Sequence, residues 1–214
     1  MSRDKLKILV VDDHLLVRSG IRRILQDEPD IELVGEADTA GHGLKRIRSE
    51  DWDVVVMDLN MPGQNALDVL GLIKLENPDL PVLILTMYPE NQYALRALKD
   101  GASGYITKSS APDHLITAIR KVVEGGAYVS PGLAMQLTTR LRSKAKETLY
   151  ELLSDREFSV LCSIAQGKPL AQIADELNLS AKTITTYRSR VLSKLSMRTN
   201  TELVRYALDQ GLIS

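Results

Sequence analysis

Five residues carry the chemistry that this chain offers. Asp12 and Asp13 are adjacent acids. Asp58, Thr86 and Lys108 follow at wide spacing. Three carboxylates brought to one place repel each other unless a cation sits among them. Hard oxygen donors of this kind suit Mg2+, which keeps waters and works with phosphate oxygens. Such a cation can shield an incoming phosphoryl group while one carboxylate attacks phosphorus. Asp58 is the expected nucleophile and an aspartyl phosphate the expected product. Thr86 can hydrogen-bond one phosphoryl oxygen, and Lys108 can pair with another as a point charge. Catalysis of this type is mostly positioning and electrostatics.

The elements that must position these residues are legible as alternating patterns. Apolar runs over 6–11, 31–36, 54–57, 82–85 and 104–106 read as strands. Amphipathic stretches over about 14–26, 40–49, 65–76, 91–99 and 112–124 read as helices between and after them. Repeated βα units predict a parallel sheet covered on both faces, a flavodoxin-like, doubly wound, five-stranded α/β fold. In such sheets the sites lie at the carboxyl ends of the strands. Reading only those ends gives Asp12 and Asp13, Asp58, Thr86 and Lys108. No glycine-rich nucleotide loop follows the first strand, which disfavours a nucleotide-binding version of the fold.

Composition supports two domains. The chain has 214 residues, 44% hydrophobic and 26% charged, with a formal net charge of -1. Residues 1–137 carry 15 Lys and Arg against 20 Asp and Glu, residues 138–150 carry 4 against 1, and residues 151–214 carry 8 against 7. An acidic first part, a basic connector and a near-neutral last part predict different partners for the two ends. The expected division is 1–124, a linker over 125–150 that contains a helix from Leu133 to Leu141, and 151–214. Arg140, Arg142, Lys144 and Lys146 make the connector basic. No apolar run approaches the length of a membrane span, and no cleavable leader pattern is present. One cysteine, Cys162, and 3 histidines make disulfides and structural zinc improbable. A reducing cytoplasm is the expected location.

The last part reads as all-α with four helices. Ser154 with Glu157, and Thr199 with Glu202, have capping-box spacing. Gly167 suits a helix C-cap. Asn178, Leu179 and Ser180 form an expected tight turn between a short helix over 170–177 and a second helix over 181–195, a helix-turn-helix pattern. At about 100° per residue, Ile184, Tyr187, Val191 and Leu195 share an inward arc. Lys182, Thr185, Thr186, Ser189, Arg190 and Ser193 share the opposite one. From Lys182 to Arg198 there are 5 Lys and Arg and no acid. Such a face suits the major groove of double-stranded DNA. Lys182, Arg190 and Lys194 are expected on phosphates, and Thr185, Thr186 and Ser189 at base edges. Arg188 lies near the apolar arc and is expected to snorkel or to pair with an acid, not to read a base.

Two resemblances cover nearly the whole chain. Val10-Val11-Asp12-Asp13-His14, Met57 to Gly63, Leu85-Thr86 and Gly101 to Lys108 resemble a bacterial response-regulator receiver domain. Leu153 to Glu157, Ala165-Gln166-Gly167, Gln172-Ile173-Ala174, Leu179 to Ile184 and Leu192 to Leu195 are similar to the LuxR-type helix-turn-helix of NarL/FixJ-family regulators. The receiver resemblance implies that Asp58 accepts phosphate from a sensor histidine kinase. It also implies that Asp13, Asp58 and the Asn60 carbonyl ligate Mg2+, with Asp12 helping through water. Tyr105 matches the aromatic switch residue that follows Thr86. His14 is expected as a helix-start residue and Cys162 as a core packer. Many receivers carry Pro after the lysine, with a cis peptide; here Ser109 stands there.

The family further implies a homodimer on activation, release of the recognition helix, and contact with promoter half-sites and RNA polymerase. Phosphoryl transfer would be confined to the chain's own Asp58, with slow self-dephosphorylation. Two other readings stay open. An aspartyl-phosphate phosphatase needs a second acid two residues on, where Asp58-Leu59-Asn60 offers an amide. A helical tail that binds protein would lack salt-dependent DNA binding.

Overall fold

A computed structural model describes residues 5–61, 65–142, 149–177 and 179–213. Five strands, β1 (Leu6–Val11), β2 (Ile31–Ala37), β3 (Val54–Met57), β4 (Val82–Thr86) and β5 (Gly104–Thr107), form one sheet in the order β2-β1-β3-β4-β5. Every pairing is parallel. Helices α1 (Leu15–Gln26), α2 (Ala40–Ser49), α3 (Ala66–Glu76), α4 (Glu90–Lys99) and α5 (Ala111–Val123) connect and cover the strands. The order reverses between β1 and β3, the switch point where open α/β sheets place their sites.

Both faces of β3, β4 and the second half of β1 are buried, which is why these stretches read as unbroken apolar runs. Ile8, Val10, Val54, Val56, Leu83, Leu85 and Ile106 form one core with Ile21 and Leu25 of α1 and Leu115, Ile119 and Val122 of α5. Leu9, Val11, Val55, Met57 and Ile84 are buried as well. Because strand side chains alternate, these residues face the other side of the sheet. There α2 packs so closely that a Cβ on Gly43 would stand 2.9 Å from the Val11 methyls.

The first compact unit runs Met1–Ala134, past the boundary expected at residue 124. The cause is a chain reversal after α5. Gly125 adopts a positive φ of 83°, and Tyr128 then bridges Gly104 in parallel, so it lies along the exposed edge of β5. Helix α6 (Pro131–Arg142) follows, starting earlier than expected because Ser130 caps it: its Oγ accepts from Leu133 N at 3.1 Å. The side chains of Arg140 and Arg142, together with Lys144 and Lys146, lie outside the described residues.

The second unit, Met135–Ser214, contains a short 3-10 turn (Leu149–Leu152) and helices α7 (Asp155–Ala165), α8 (Leu170–Glu176), α9 (Ala181–Lys194) and α10 (Asn200–Asp209). Both expected capping boxes form, at Ser154 with Glu157 and at Thr199 with Glu202. Gly167 takes φ 80° just past α7, as a C-cap glycine should. Phe158, Leu161, Ile173, Ile184, Val191, Leu203 and Ala207 fill the centre. Asn178, part of the expected tight turn, lies outside the described residues; Ser180 caps α9 through Thr183 N. Among the described residues no helix is long and apolar enough to cross a membrane.

Candidate functional site

Strand register builds the acidic pocket. Val11 of β1 is paired with Met57 of β3, so Asp12 and Asp58 leave the sheet side by side. The Asp58 N–H donates to the Val11 carbonyl at 2.9 Å. Thr86 pairs with Thr107 across β4 and β5, and the next residue is Lys108, whose N–H donates to the Thr86 carbonyl at 2.8 Å. From there the Lys108 ammonium donates to Asp58 Oδ2 at 2.6 Å and stands 2.7 Å from Asp12 Oδ2. Burial alone would pull this ammonium's pKa down; its contacts with Asp12 and Asp58 outweigh burial and leave it raised. Lys108 is therefore charged at neutral pH.

Two Asx turns orient the acids. His14 N donates to Asp12 Oδ1 at 2.8 Å, and Asn60 N donates to Asp58 Oδ1 at 3.1 Å. Asp12, Asp58 and Thr86 are buried, while Asp13 is partly open. The Lys108 ammonium touches Asp12 and Asp58 but not Asp13, so the three clustered carboxylates keep an excess of negative charge that a divalent cation would neutralise. Asp12 Oδ2 is held by the Lys108 ammonium at 2.7 Å, and Asp13 Oδ1 stands 2.8 Å from His14 Nδ1. Ligand atoms of Asp12, Asp13, His14 and Asp58 all lie within 4.8 Å of one another. The donor set fits a hard divalent ion.

Sequence reasoning missed three supports. Arg18 reaches back from α1 to donate to the Asp12 carbonyl at 2.6 Å while holding Glu36 at 3.0 Å. The Tyr88 hydroxyl donates to Asn60 Oδ1 at 3.2 Å. His14 begins α1 as expected, yet its side chain makes no capping bond and its ring stands against Asp13. Position alone gave no signal for any of these, because each depends on where a long or aromatic side chain turns.

Behind the pocket, Thr86 and Tyr105 are fully buried. The Tyr105 hydroxyl donates to the Tyr88 carbonyl at 2.9 Å, and burial pushes its pKa far above the usual phenol range. Tyr88 N donates weakly to Thr86 Oγ1 at 3.4 Å, and the Tyr88 ring stacks on Tyr93 of α4 at 4.3 Å. One residue, Tyr88, thus touches Thr86, Asn60, Tyr105 and α4.

On α9, Lys182, Thr185, Thr186, Ser189, Arg190 and Lys194 are exposed, while Ile184, Val191 and Leu195 are buried and Tyr187 is half-buried. The hydroxyls of Thr185, Thr186 and Ser189 donate to carbonyls one turn back at 2.9, 3.0 and 3.0 Å, leaving their lone pairs outward. Lys194 differs from the rest. Its ammonium donates to Glu157 Oε2 at 2.6 Å and to the Leu152 carbonyl at 3.2 Å. Arg188 Nε donates to Asn200 Oδ1 at 2.6 Å, beside the helix rather than out from its polar face.

Comparison with known proteins gives the arrangement its relatives. Residues 8–120 match the response regulator receiver domain, and residues 151–207 match the bacterial regulatory proteins of the luxR family. The chain is 37% identical to the response regulator UvrY of Escherichia coli, over 97% of this chain and 95% of that protein. It is 38% identical to the response regulator GacA of Pseudomonas syringae, over 97% and 98%. RcsB of Salmonella enterica serovar Typhimurium, solved bound to promoter rprA with a beryllium fluoride phosphomimetic, superposes with a TM-score of 0.63 at 25% identity, covering 95% of this chain and 98% of that one. With a receiver fold carrying an acidic pocket at its strand ends, followed in the sequence by a helix-turn-helix domain, the chain belongs to the two-component response regulators with a LuxR-type DNA-binding domain.

Proposed function

We propose that Asp58 is phosphorylated by a sensor histidine kinase, in a step that needs Mg2+, and that this phosphate controls sequence-specific binding of α9 to promoter DNA. The carrying observation is the meeting of Asp58, Lys108, Asp12 and Asp13 at one sheet edge. Asp12, Asp13, Asp58 and Asn60 would hold the cation. Bound there, Mg2+ supplies charge shielding for the incoming phosphoryl oxygens.

The chain's own residues do the rest. An Asp58 oxygen attacks phosphorus, the bond to the donor breaks, and an acyl phosphate forms. Lys108 transfers its ammonium from the carboxylate to a phosphoryl oxygen. The Thr86 hydroxyl donates to another, which removes it from Tyr88. The phosphate adds about -1.5 to -2 charges and acts only by favouring one of two conformations. Tyr105 and Tyr88 are the residues through which that preference reaches α4. The solved RcsB complex with promoter DNA in the presence of a phosphomimetic supports linking phosphorylation to DNA binding here. A homodimer on activation would present two α9 helices to paired half-sites. RNA polymerase is the further partner of such a regulator.

The test is phosphorylation with acetyl phosphate and Mg2+, read by intact mass. Wild type should gain one phosphoryl group and Asp58→Asn none. Undiminished labelling of Asp58→Asn overturns the assignment.

A further inference from the structure

The loop that carries Lys108 is tied by hydroxyls. A turn over 107–110 closes where Ser110 N donates to the Thr107 carbonyl at 3.0 Å, and Lys108 stands second in it. Ser110 Oγ donates to the same carbonyl at 3.0 Å. A serine hydroxyl has one proton, so Ser110 Oγ accepts from Thr107 Oγ1 at 3.0 Å. Thr107 Oγ1 in turn accepts from Ser109 Oγ, also at 3.0 Å. Donation runs one way, from Ser109 to Thr107 to Ser110 to the Thr107 backbone.

Ser110 forgoes a more usual bond to take part. It is the N-cap of α5, where a serine ordinarily accepts from a backbone N–H of the first turn. Its hydroxyl makes no such bond. Thr39, Ser154, Ser180 and Thr199 each cap their helices in that way. The Ser110 hydroxyl is instead turned back onto the residue before Lys108.

We infer that Thr107 and Ser110 are positioning residues for phosphoryl transfer to Asp58: their hydroxyls fix the backbone from which the Lys108 stem reaches the carboxylate. On one side Lys108 N donates to the Thr86 carbonyl at 2.8 Å; on the other the hydroxyls hold the turn. From that root the ammonium meets Asp58 Oδ2 at 2.6 Å and Asp12 Oδ2 at 2.7 Å. A shift of about 1 Å at the root is enough to slow transfer. Ser109 is exposed, and water can replace its bond, so it contributes least. This inference rests on Asp58 being the phosphoacceptor, as proposed above.

The rate of labelling of the full chain by acetyl phosphate and Mg2+, followed by intact mass, tests it. Thr107→Val keeps the branched shape and removes the hydroxyl. It should slow labelling about two- to tenfold, the range that one hydrogen bond supports, and Thr107→Ser should restore the rate. Ser110→Ala should slow labelling over the same range. Hydrogen exchange of the Lys108 N–H should speed up in Thr107→Val and Ser110→Ala, while that of Val56 in the sheet core should not, which separates a loosened root from a loosened fold. Wild-type labelling rates in both variants, slowing that Thr107→Ser does not restore, or slowing with Lys108 exchange unchanged overturns the inference. Asp58→Asn is the control. If it labels as fast as wild type, the phosphoacceptor assignment fails. If it stays unlabelled while the hydroxyl variants label normally, only the present inference fails.

Discussion

The Lys108 ammonium donates to Asp58 Oδ2 at 2.6 Å, so the expected nucleophile and its cation are already in contact across the width of β4. The same ammonium stands 2.7 Å from Asp12 Oδ2. Both carboxylates are buried. Lys108→Ala leaves them facing each other without a counter-charge. Losing one partner of a buried ion pair costs about 3–5 kcal/mol. Urea unfolding in the absence of divalent cations should show a loss of that size. Added Mg2+ should recover more stability in the variant than in wild type, by binding the folded state. Equal stability of the two proteins without cation would contradict this geometry.

Tyr105→Phe removes one hydroxyl and keeps the ring. It deletes the hydroxyl's bond to the Tyr88 carbonyl. Stability should fall by about 0.5–1.5 kcal/mol, the net value of one hydrogen bond. Phosphorylation of Asp58 should proceed at its usual rate, while the change in DNA affinity on phosphorylation should shrink. Filter binding with and without acetyl phosphate reads the second effect; an unaltered phosphate response removes Tyr105 from the relay.

The recognition helix makes separable predictions. Thr185→Ala and Ser189→Ala should flatten sequence preference, because their outward lone pairs can read base edges. Lys182→Ala and Arg190→Ala should weaken all sequences alike and lower the salt slope by about 1 each. Lys194→Ala should change the salt slope less than either, because its ammonium is held by Glu157 and the Leu152 carbonyl. Binding isotherms over a salt series distinguish the three behaviours. A loss of slope at Lys194 equal to that at Lys182 would return Lys194 to the phosphates.

Glu157 gives the second unit a pH signature. Burial tends to raise its pKa, but hydrogen bonds from Lys194 and from Ser154 N prevail and leave it below the usual carboxylate value. A carboxyl depressed in the folded state stabilises above its unfolded pKa, and the contribution is lost as pH falls through the folded value. Glu157→Gln should therefore destabilise at pH 7 by about 1.5–3 kcal/mol, as for a hydrogen bond to a charged group. The gap from wild type should close as pH falls from about 4.5 downward. Thermal melts of the two proteins from pH 7 to pH 3 measure it; a gap independent of pH would mean the Glu157 charge is irrelevant.

How far the sequence carried depended on whether local pattern or side-chain reach decided the outcome. Strand ends were legible because a fully buried parallel strand is an unbroken apolar run, and its end is marked by the first charge. That placed Asp12, Asp58, Thr86 and Lys108 at the edge where the register now joins them. Capping boxes were legible because three-residue spacing is local. Tyr128 was not: residues 125–153 carry no strand pattern, and its pairing with β5 depends on a reversal at Gly125. Lys194 reads as one more cation of an acid-free segment, and only the structure shows its four-carbon stem reaching Glu157 of α7. Arg18 and the His14 ring likewise reach beyond their own helix turn.

The central claim is that a phosphoryl group on Asp58 changes how α9 meets DNA. Its most direct measurement is fluorescence anisotropy of the full chain on a selected binding sequence, before and after treatment with acetyl phosphate and Mg2+. Asp58→Asn is run alongside. Phosphorylated wild type should bind about 5–150-fold tighter, the usual span of coupling between two sites, and Asp58→Asn should not respond. Identical affinity of wild type in both states, or an equal response from Asp58→Asn, would contradict it.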